Sequence, residues 1–157
     1  MTIDKVCGYV TDILSFDPAK VIQSRTDYTM IDFNDDVIIV DTLTGEIISK
    51  QTAFDGENET QNIDSITSSI FTLDFYGDNA YKNTMTFVNM QSSQLAYDLM
   101  KQHELSVWHS THPRNLKNVS GQSTFERWQI ELNITDTIRN EIDLLRIDDA
   151  QISIIEN

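Results

Sequence analysis

The most regular stretch of the sequence is residues 124–135, TFERWQIELNIT, in which apolar and polar side chains alternate. Trp128, Ile130, Leu132 and Ile134 would share one side of an extended strand, because successive strand side chains point to opposite faces. Antiparallel strands with one face on the core and one face in water have this pattern. We therefore predict that this strand is central to an antiparallel sheet, with its apolar side chains buried.

Other strand patterns lie around this one. Residues 66–76 place Phe71, Leu73 and Phe75 on one face of a strand, and polar residues follow at Gly77. Shorter strands are expected at 28–33 and 105–110 and around Ile152 and Ile154. Residues 137–149 fit either a helical turn or an extended crossing.

Helical spacing is found in two regions. Apolar residues three and four apart over residues 3–14 predict an amphipathic helix, and Asp17-Pro18 predicts an N-cap opening a short turn over 19–22. A longer helical stretch is predicted to run to Gln102, broken at Ser92-Ser93 because serine favours caps over helix interiors. The side chains expected to face the core from this stretch are Tyr81, Met85, Val88, Leu95, Ala96, Leu99 and Met100. Strands and helices alternate without a βαβ rhythm, so the predicted class is α+β, an antiparallel β-sheet packed against helices.

Residues 34–62 are predicted to form a β-hairpin arm that projects from this sheet. Two β-like runs, 37–42 and 46–53, flank Thr44-Gly45, which is a plausible turn. Their apolar side chains are too numerous for a solvated hairpin, and an isolated hairpin is only marginally stable. The arm therefore either extends the domain's own sheet or reaches another subunit or partner.

Size and charge limit the function classes. The 157 residues fit one domain over 1–157, and 25 acidic against 11 basic residues give a net charge of −14. This charge repels phosphate, which disfavours binding to nucleic acid or to an anionic membrane surface. The longest apolar run, Val37–Val40, cannot span a bilayer. The lone Cys7 excludes an internal disulfide.

Catalytic motifs such as a P-loop or a nucleophile elbow are not found in the sequence. His109 and His112, with Glu104, could form a metal site, and the alternative function from another class is a small metal-dependent hydrolase that uses these three residues. Asp32, Asp35 and Asp36 could also bind calcium. Polar turn chemistry explains both groups as well. We therefore predict a protein without catalytic residues, cofactor or metal.

The order of the segments resembles the neck or tail terminator proteins of long-tailed bacteriophages. The resemblance covers about residues 18–155 and is carried by PAKVIQSR at 18–25, SIFTLDFYG at 69–77, SSQLAYDLM at 92–100 and the Phe125-Glu126-Arg127 entry into the alternating strand. The sequence differs from such proteins at Arg25-Thr26-Asp27, where they often carry prolines, and in its longer, more polar arm.

The resemblance implies a virion structural protein of the head–tail junction, assembled in the host cytoplasm. Such a protein forms a ring, usually of six copies, that caps and terminates the tail tube and joins it to the neck. The implied partners are further copies of the chain, the tail tube protein and a neck or connector protein, while genome DNA only passes through the channel and no membrane is involved. A head-completion adaptor or a tail-tube-associated protein is the alternative in the same setting.

Overall fold

The computed structural model describes residues 2–24, 31–120 and 123–143. Its helices are α1 (Thr2–Leu14), α2 (Ala80–Met90) and α3 (Gln94–Gln102), with a short 3-10 turn at Pro18–Lys20. Its strands are β1 (Val21–Gln23), β2 (Val37–Asp55), β3 (Thr60–Tyr76), β4 (Leu105–Ser110), β5 (Arg114–Asn115), β6 (Asn118–Ser120), β7 (Ser123–Phe125) and β8 (Arg127–Asp143).

The strands form a six-stranded sheet in the order β1-β2-β3-β8-β4, with β5 also paired to β8, while β6 and β7 pair with each other. The pairs within the large sheet are antiparallel except for β1, which runs parallel to β2. Three helices and a mixed sheet confirm the predicted α+β class. The parallel strand β1 was missed because its residues were assigned to the turn after Pro18.

The core lies between the helices and one face of β3 and β8. Phe71, Leu73 and Phe75 are buried as predicted. Ile130, Leu132 and Ile134 are also buried as predicted, whereas Trp128 is only half-buried at the edge of the cluster. The helices contribute Val6, Tyr9, Val10, Ile13, Ala80, Phe87, Ala96 and Leu99 to the same cluster.

The helical region breaks where the sequence predicted, since Ser93 caps α3 by accepting a hydrogen bond from the Ala96 backbone N–H. The inward face of α2 was predicted correctly only for Val88, which packs against the core cluster. Its buried residues are Ala80, Thr84 and Phe87, while Tyr81 and Met85 are exposed, as is Leu95 on α3. The buried face includes Thr84, whose hydroxyl donates a hydrogen bond to the Ala80 carbonyl at 2.7 Å. Because this buried residue is polar, the spacing of apolar residues did not indicate the buried face of α2.

The predicted turn at Thr44-Gly45 is also wrong. β2 is one strand from Val37 to Asp55 with a bulge between Thr42 and Thr44, and the chain reverses instead at residues 56–59. Val37 to Val40 are buried core residues, so the predicted arm bounds begin too early.

Three further strand predictions have separate outcomes. Residues 137–143 of the ambiguous segment 137–149 are extended and continue β8, and residues 144–149 lie outside the described residues. Within the predicted strand 28–33, residues 31–33 are not in a strand. Residues 28–30 of that strand, and the strand around Ile152 and Ile154, lie outside the described residues.

Candidate assembly surface

The outer part of the sheet is a three-stranded extension, made of residues 43–55 of β2, 60–67 of β3 and 136–143 of β8. Its middle strand is β3, which pairs with β8 without a register shift from Tyr76↔Arg127 to Thr60↔Asp143. On the other side, β3 pairs with β2 up to Asp55↔Thr60, with a second bulge between Ile47 and Ser49. The extension is therefore a direct continuation of the core sheet.

One face of the extension carries a set of apolar side chains, interspersed with Lys50, Thr52 and Asn140. The strand registers place Ile47, Phe54, Ile63, Ile138 and Ile142 on this face. It continues the core face of the sheet, because β3 alternates without interruption from residue 61 to Phe75. Four of the five side chains remain 42–65% exposed in the described structure. Large apolar side chains left exposed together on one face of a sheet favour an interaction surface.

The opposite face of the extension is polar and acidic. Across this face, the Arg139 Nε donates a hydrogen bond to the Asp64 carboxylate at 2.9 Å. The same face carries Arg139 as its single basic residue, against five acidic residues, Glu46, Asp55, Asp64, Glu141 and Asp143. The extension is thus amphipathic, with an uncovered apolar side and an anionic side.

A buried carboxylate lies at the base of the extension, where β8 leaves the core. Asp136 is 6% exposed and accepts hydrogen bonds at 2.9 Å from the Thr2 hydroxyl and the Lys5 ammonium group, both on α1. The backbone carbonyl of Asp136 accepts a further hydrogen bond from the Thr67 hydroxyl on β3. These contacts fix the orientation of the extension relative to the N-terminal helix.

A second polar cluster lies on the outer face of the core sheet. The Asp74 carboxylate accepts hydrogen bonds at 3.0 Å from Arg127 and from Gln129, and the Arg127 guanidinium stacks over the Tyr76 ring. Burial acts to lower the pKa of Arg127, but the bond to Asp74 and its negative charge outweigh burial and raise that pKa. The Phe125-Glu126-Arg127 entry therefore anchors β8 with an Arg127 that stays charged.

The three residues of the alternative metal site are not brought together. Glu104 precedes β4 and His112 follows it, so the six residues Leu105–Ser110 separate them by roughly 20 Å. The Glu104 carboxylate lies 3.8 Å from the Lys5 ammonium group, and His109 pairs with Asn133 through the backbone of β4.

The acidic residues before β2 have separate partners. Asp32 accepts from the backbone and side chain of Asn34, and Asp35 forms an ion pair with Lys20 at 2.7 Å. Asp36 accepts from the backbone and side chain of Asn79, at the start of α2. These carboxylates hold turns, which favours the turn interpretation over calcium binding.

The described structure thus presents a sheet with an uncovered apolar face, which is typical of a protein that acts by associating with other chains. The family model described as "Phage neck terminator protein" matches residues 5–157. This chain belongs to that family of phage neck terminator proteins. None of the curated proteins matches the chain in sequence.

Solved structures give weaker likenesses. A sheath/tube terminator from an extracellular contractile injection system, PVC, in the extended state is 11% identical, with a TM-score of 0.49 over 100% of this chain. The present chain spans 64% of that terminator's length. The fimbrial biogenesis protein PilO from Pseudomonas aeruginosa is 10% identical, with a TM-score of 0.24, over 64% of this chain and 58% of PilO. Within the described residues, no helix has the length and apolar character needed to cross a membrane.

Proposed function

We propose that residues 1–157 form one tail-terminator domain, and that copies of it close into a ring, of six subunits, on the end of the phage tail tube. The ring stops tube growth and presents a surface to the neck or connector protein. The chain performs this role by assembly and uses no catalytic residue, metal or cofactor. The observation that carries the proposal is the apolar face of the extension, together with the family to which the chain belongs.

The apolar face supports assembly because its side chains continue the core face beyond the helices. Ile47 and Phe54 are each more than 60% exposed in the described structure. Burying a large apolar side chain contributes about 1.5–3 kcal/mol, which these two side chains do not contribute in a monomer. Contact with a neighbouring subunit or with the tube protein would bury them.

The charge supports passage of DNA without binding. The net charge of −14 and the excess of acidic side chains on the polar face produce a field that repels phosphate groups. A channel lined by such a surface lets the genome slide past, whereas a basic lining would retain it.

The experiment combines the purified protein with tubes assembled from the tail tube protein of the same phage. Electron micrographs should show rings at tube ends, and tube length should stop increasing once the protein is added. Binding to the neck or connector protein without capping of tubes would instead support the head-completion adaptor. A stable two-fold dimer in solution would contradict the terminator ring.

A matched pair of variants tests the role of the apolar face. Ile47→Ser combined with Phe54→Ser should leave the protein folded, because both side chains are exposed, but should abolish ring formation and capping. Ala53→Ser, on the polar face of the same strand, is the control and should cap tubes normally. Normal rings formed by the double variant would remove the apolar face from the proposal.

A further inference from the structure

The extension has two open strand edges, and both lie at the same distance from the core along the strand direction. Beyond Val40, β2 pairs only with β3 among the described strands, and beyond Asp136, β8 likewise pairs only with β3. Within the chain described, the outer edges of residues 49–55 and 137–143 therefore have backbone donors and acceptors without a strand partner, and the Thr137 N–H donates to the neighbouring Asp136 Oδ1 at 2.8 Å. Such edges bind further strands unless they are blocked.

The two edges have the same length and flank the same residues of β3. After the second bulge, β2 is regular over the seven pairs from Ser49↔Ile66 to Asp55↔Thr60. β8 is regular over the seven pairs from Ile66↔Thr137 to Thr60↔Asp143. Both edges therefore flank the same seven residues of β3, and each is about 23 Å long. Neither segment contains a proline or a bulge, two of the features that block edge pairing, and the charged residues on the two edges are Lys50 and Asp55 on β2 and Arg139, Glu141 and Asp143 on β8.

We infer that residues 137–143 of one copy pair with residues 49–55 of the next copy, so that the sheet continues from subunit to subunit around the ring. This inference rests on the proposed function and names the surface that closes the ring. The partner is a second copy of the chain, because each copy has both of the edges that the contact needs. These edges lie on opposite sides of the extension and beside the same residues of β3. Two different edges in contact form a heterologous interface, which closes into a ring when its rotation permits.

The orientation follows from the topology. β2 and β8 both run toward the tip of the extension, because each is antiparallel to β3. In a ring whose copies all face the same way, the joined edges are therefore parallel. A two-fold dimer would instead join two copies of the same edge in antiparallel fashion.

When Asp143 of one copy lies directly beside Asp55 of the next, the side chains along the joined edges are compatible with this pairing. On the apolar face, Ile142 of one copy would adjoin Phe54 of the next, and on the polar face Glu141 would adjoin Ala53. Like charges would meet only at the tip, between Asp143 and Asp55. The apolar faces of successive copies would then form one continuous band around the ring.

The test is cysteine cross-linking of the full chain. Ala53→Cys and Glu141→Cys lie two strands apart in one copy, about 9.6 Å, which is too far for a disulfide within the chain. Mild oxidation to a disulfide therefore joins the two cysteines only across a neighbouring edge, where residues at one level lie about 4.8 Å apart. The double variant should give a ladder of covalent oligomers that ends at the size of the ring.

Three controls define the contact. Each single variant should give no product, and an equal mixture of the two should stop at the dimer, because each copy then offers one reactive edge. The wild-type chain, with only the half-buried Cys7, should give none.

A missing ladder, a dimer from a single variant, or a cross-link to a chain of different mass would overturn the inference. Micrographs of the same samples separate this failure from that of the proposed function. Rings without a ladder would keep the terminator and discard the edge pairing, whereas the loss of both would discard both.

Discussion

The ammonium group of Lys5 on α1 lies 2.9 Å from the Asp136 carboxylate on β8, at the residue where β8 passes from the core into the extension. The Asp136 side chain is 5% exposed and that of Lys5 is 28% exposed. The first helical turn of the chain is therefore joined to the base of its most exposed element by a charge-assisted hydrogen bond, which is stronger than a neutral one.

Replacing Asp136 by Asn should weaken this junction, because the half-buried ammonium group of Lys5 loses its nearest counter-charge and keeps only Glu104 at 3.8 Å. We expect a loss of about 1–3 kcal/mol in the free energy of unfolding, measured by urea denaturation at neutral pH. The control is Arg139→Gln, which removes an ion pair whose arginine is 73% exposed and should cost less than about 1 kcal/mol. Equal losses in the two variants would contradict the role of the buried contact.

Leu132→Ala should be among the most costly single changes in β8. The side chain is fully buried, so its truncation leaves a cavity and should cost about 2–5 kcal/mol. Ile138→Ala on the same strand removes an exposed side chain and should cost less than about 1 kcal/mol while impairing ring formation. Thermal or urea unfolding checks both values, and a loss below about 0.5 kcal/mol for Leu132→Ala would contradict its burial.

Gly77→Ala should destabilise the turn between β3 and α2. Gly77 has a φ of +98°, and a Cβ there would lie 2.5 Å from Asp36 Oδ1 and 2.6 Å from the Asp35 carbonyl oxygen. Strained backbone of this kind costs about 1–3 kcal/mol. Gly56→Ala is the control, because its Cβ would meet only the Phe54 ring at 3.4 Å. Unfolding midpoints compare the two, and a smaller loss at Gly77 would refute the close approach.

Cys7 should react slowly in the folded protein. Burial, aided by the negative charge of Asp4, raises the pKa of the Cys7 thiol to about 11 from an ordinary value of 9.0. At pH 8 only about one thousandth of the folded thiol is ionised, so a thiol reagent should react roughly 100-fold more slowly than in urea. Similar rates in both states would contradict the burial.

The same shift has a consequence for alkaline stability. The folded thiol holds its proton more tightly than the unfolded thiol, so its contribution is complete below about pH 9 and is lost as the pH rises toward 11. Cys7→Ala should therefore reduce the loss of stability between these pH values, as measured by urea denaturation across the range.

Ring assembly should be promoted by salt, because copies that each carry −14 repel one another. Raising the ionic strength from 0.05 to 0.5 M shortens the Debye length from about 14 to about 4 Å, and the oligomeric fraction measured by sedimentation should increase. Glu141→Gln combined with Asp143→Asn should lower the salt needed. Assembly that weakens with salt would indicate that attraction between unlike charges dominates the interface.

The sequence predicted the parts of the fold in which burial alternates cleanly. β3 and β8 each bury one face in the core, through Phe71, Leu73 and Phe75 on β3 and Ile130 and Leu132 on β8. The two-residue period of a strand is therefore visible in the sequence. The break at Ser93 was visible because capping is a local interaction.

The extension was harder to predict because its outer strands, residues 43–55 of β2 and 137–143 of β8, are exposed on both faces. Ile138 and Ile142 lie four residues apart, which fits a helix as well as one face of a strand. Thr44-Gly45 has turn composition but lies within β2 beside a bulge, where glycine is tolerated. The pairing with β3, a long-range contact, decides both cases.

The bulges also determine how the extension responds to force. Both bulges are in β2, whereas the paired strands β3 and β8 run 17 residues each without a break from the core to the tip. A pull along their axis loads all of the hydrogen bonds between them together, in shear, and no weak point separates the tip from the core. A load on the tip would thus reach Asp136 and the helices directly. Within the extension, β3 and β8 would transmit force as a stiff pair of strands, and β2 would deform more easily.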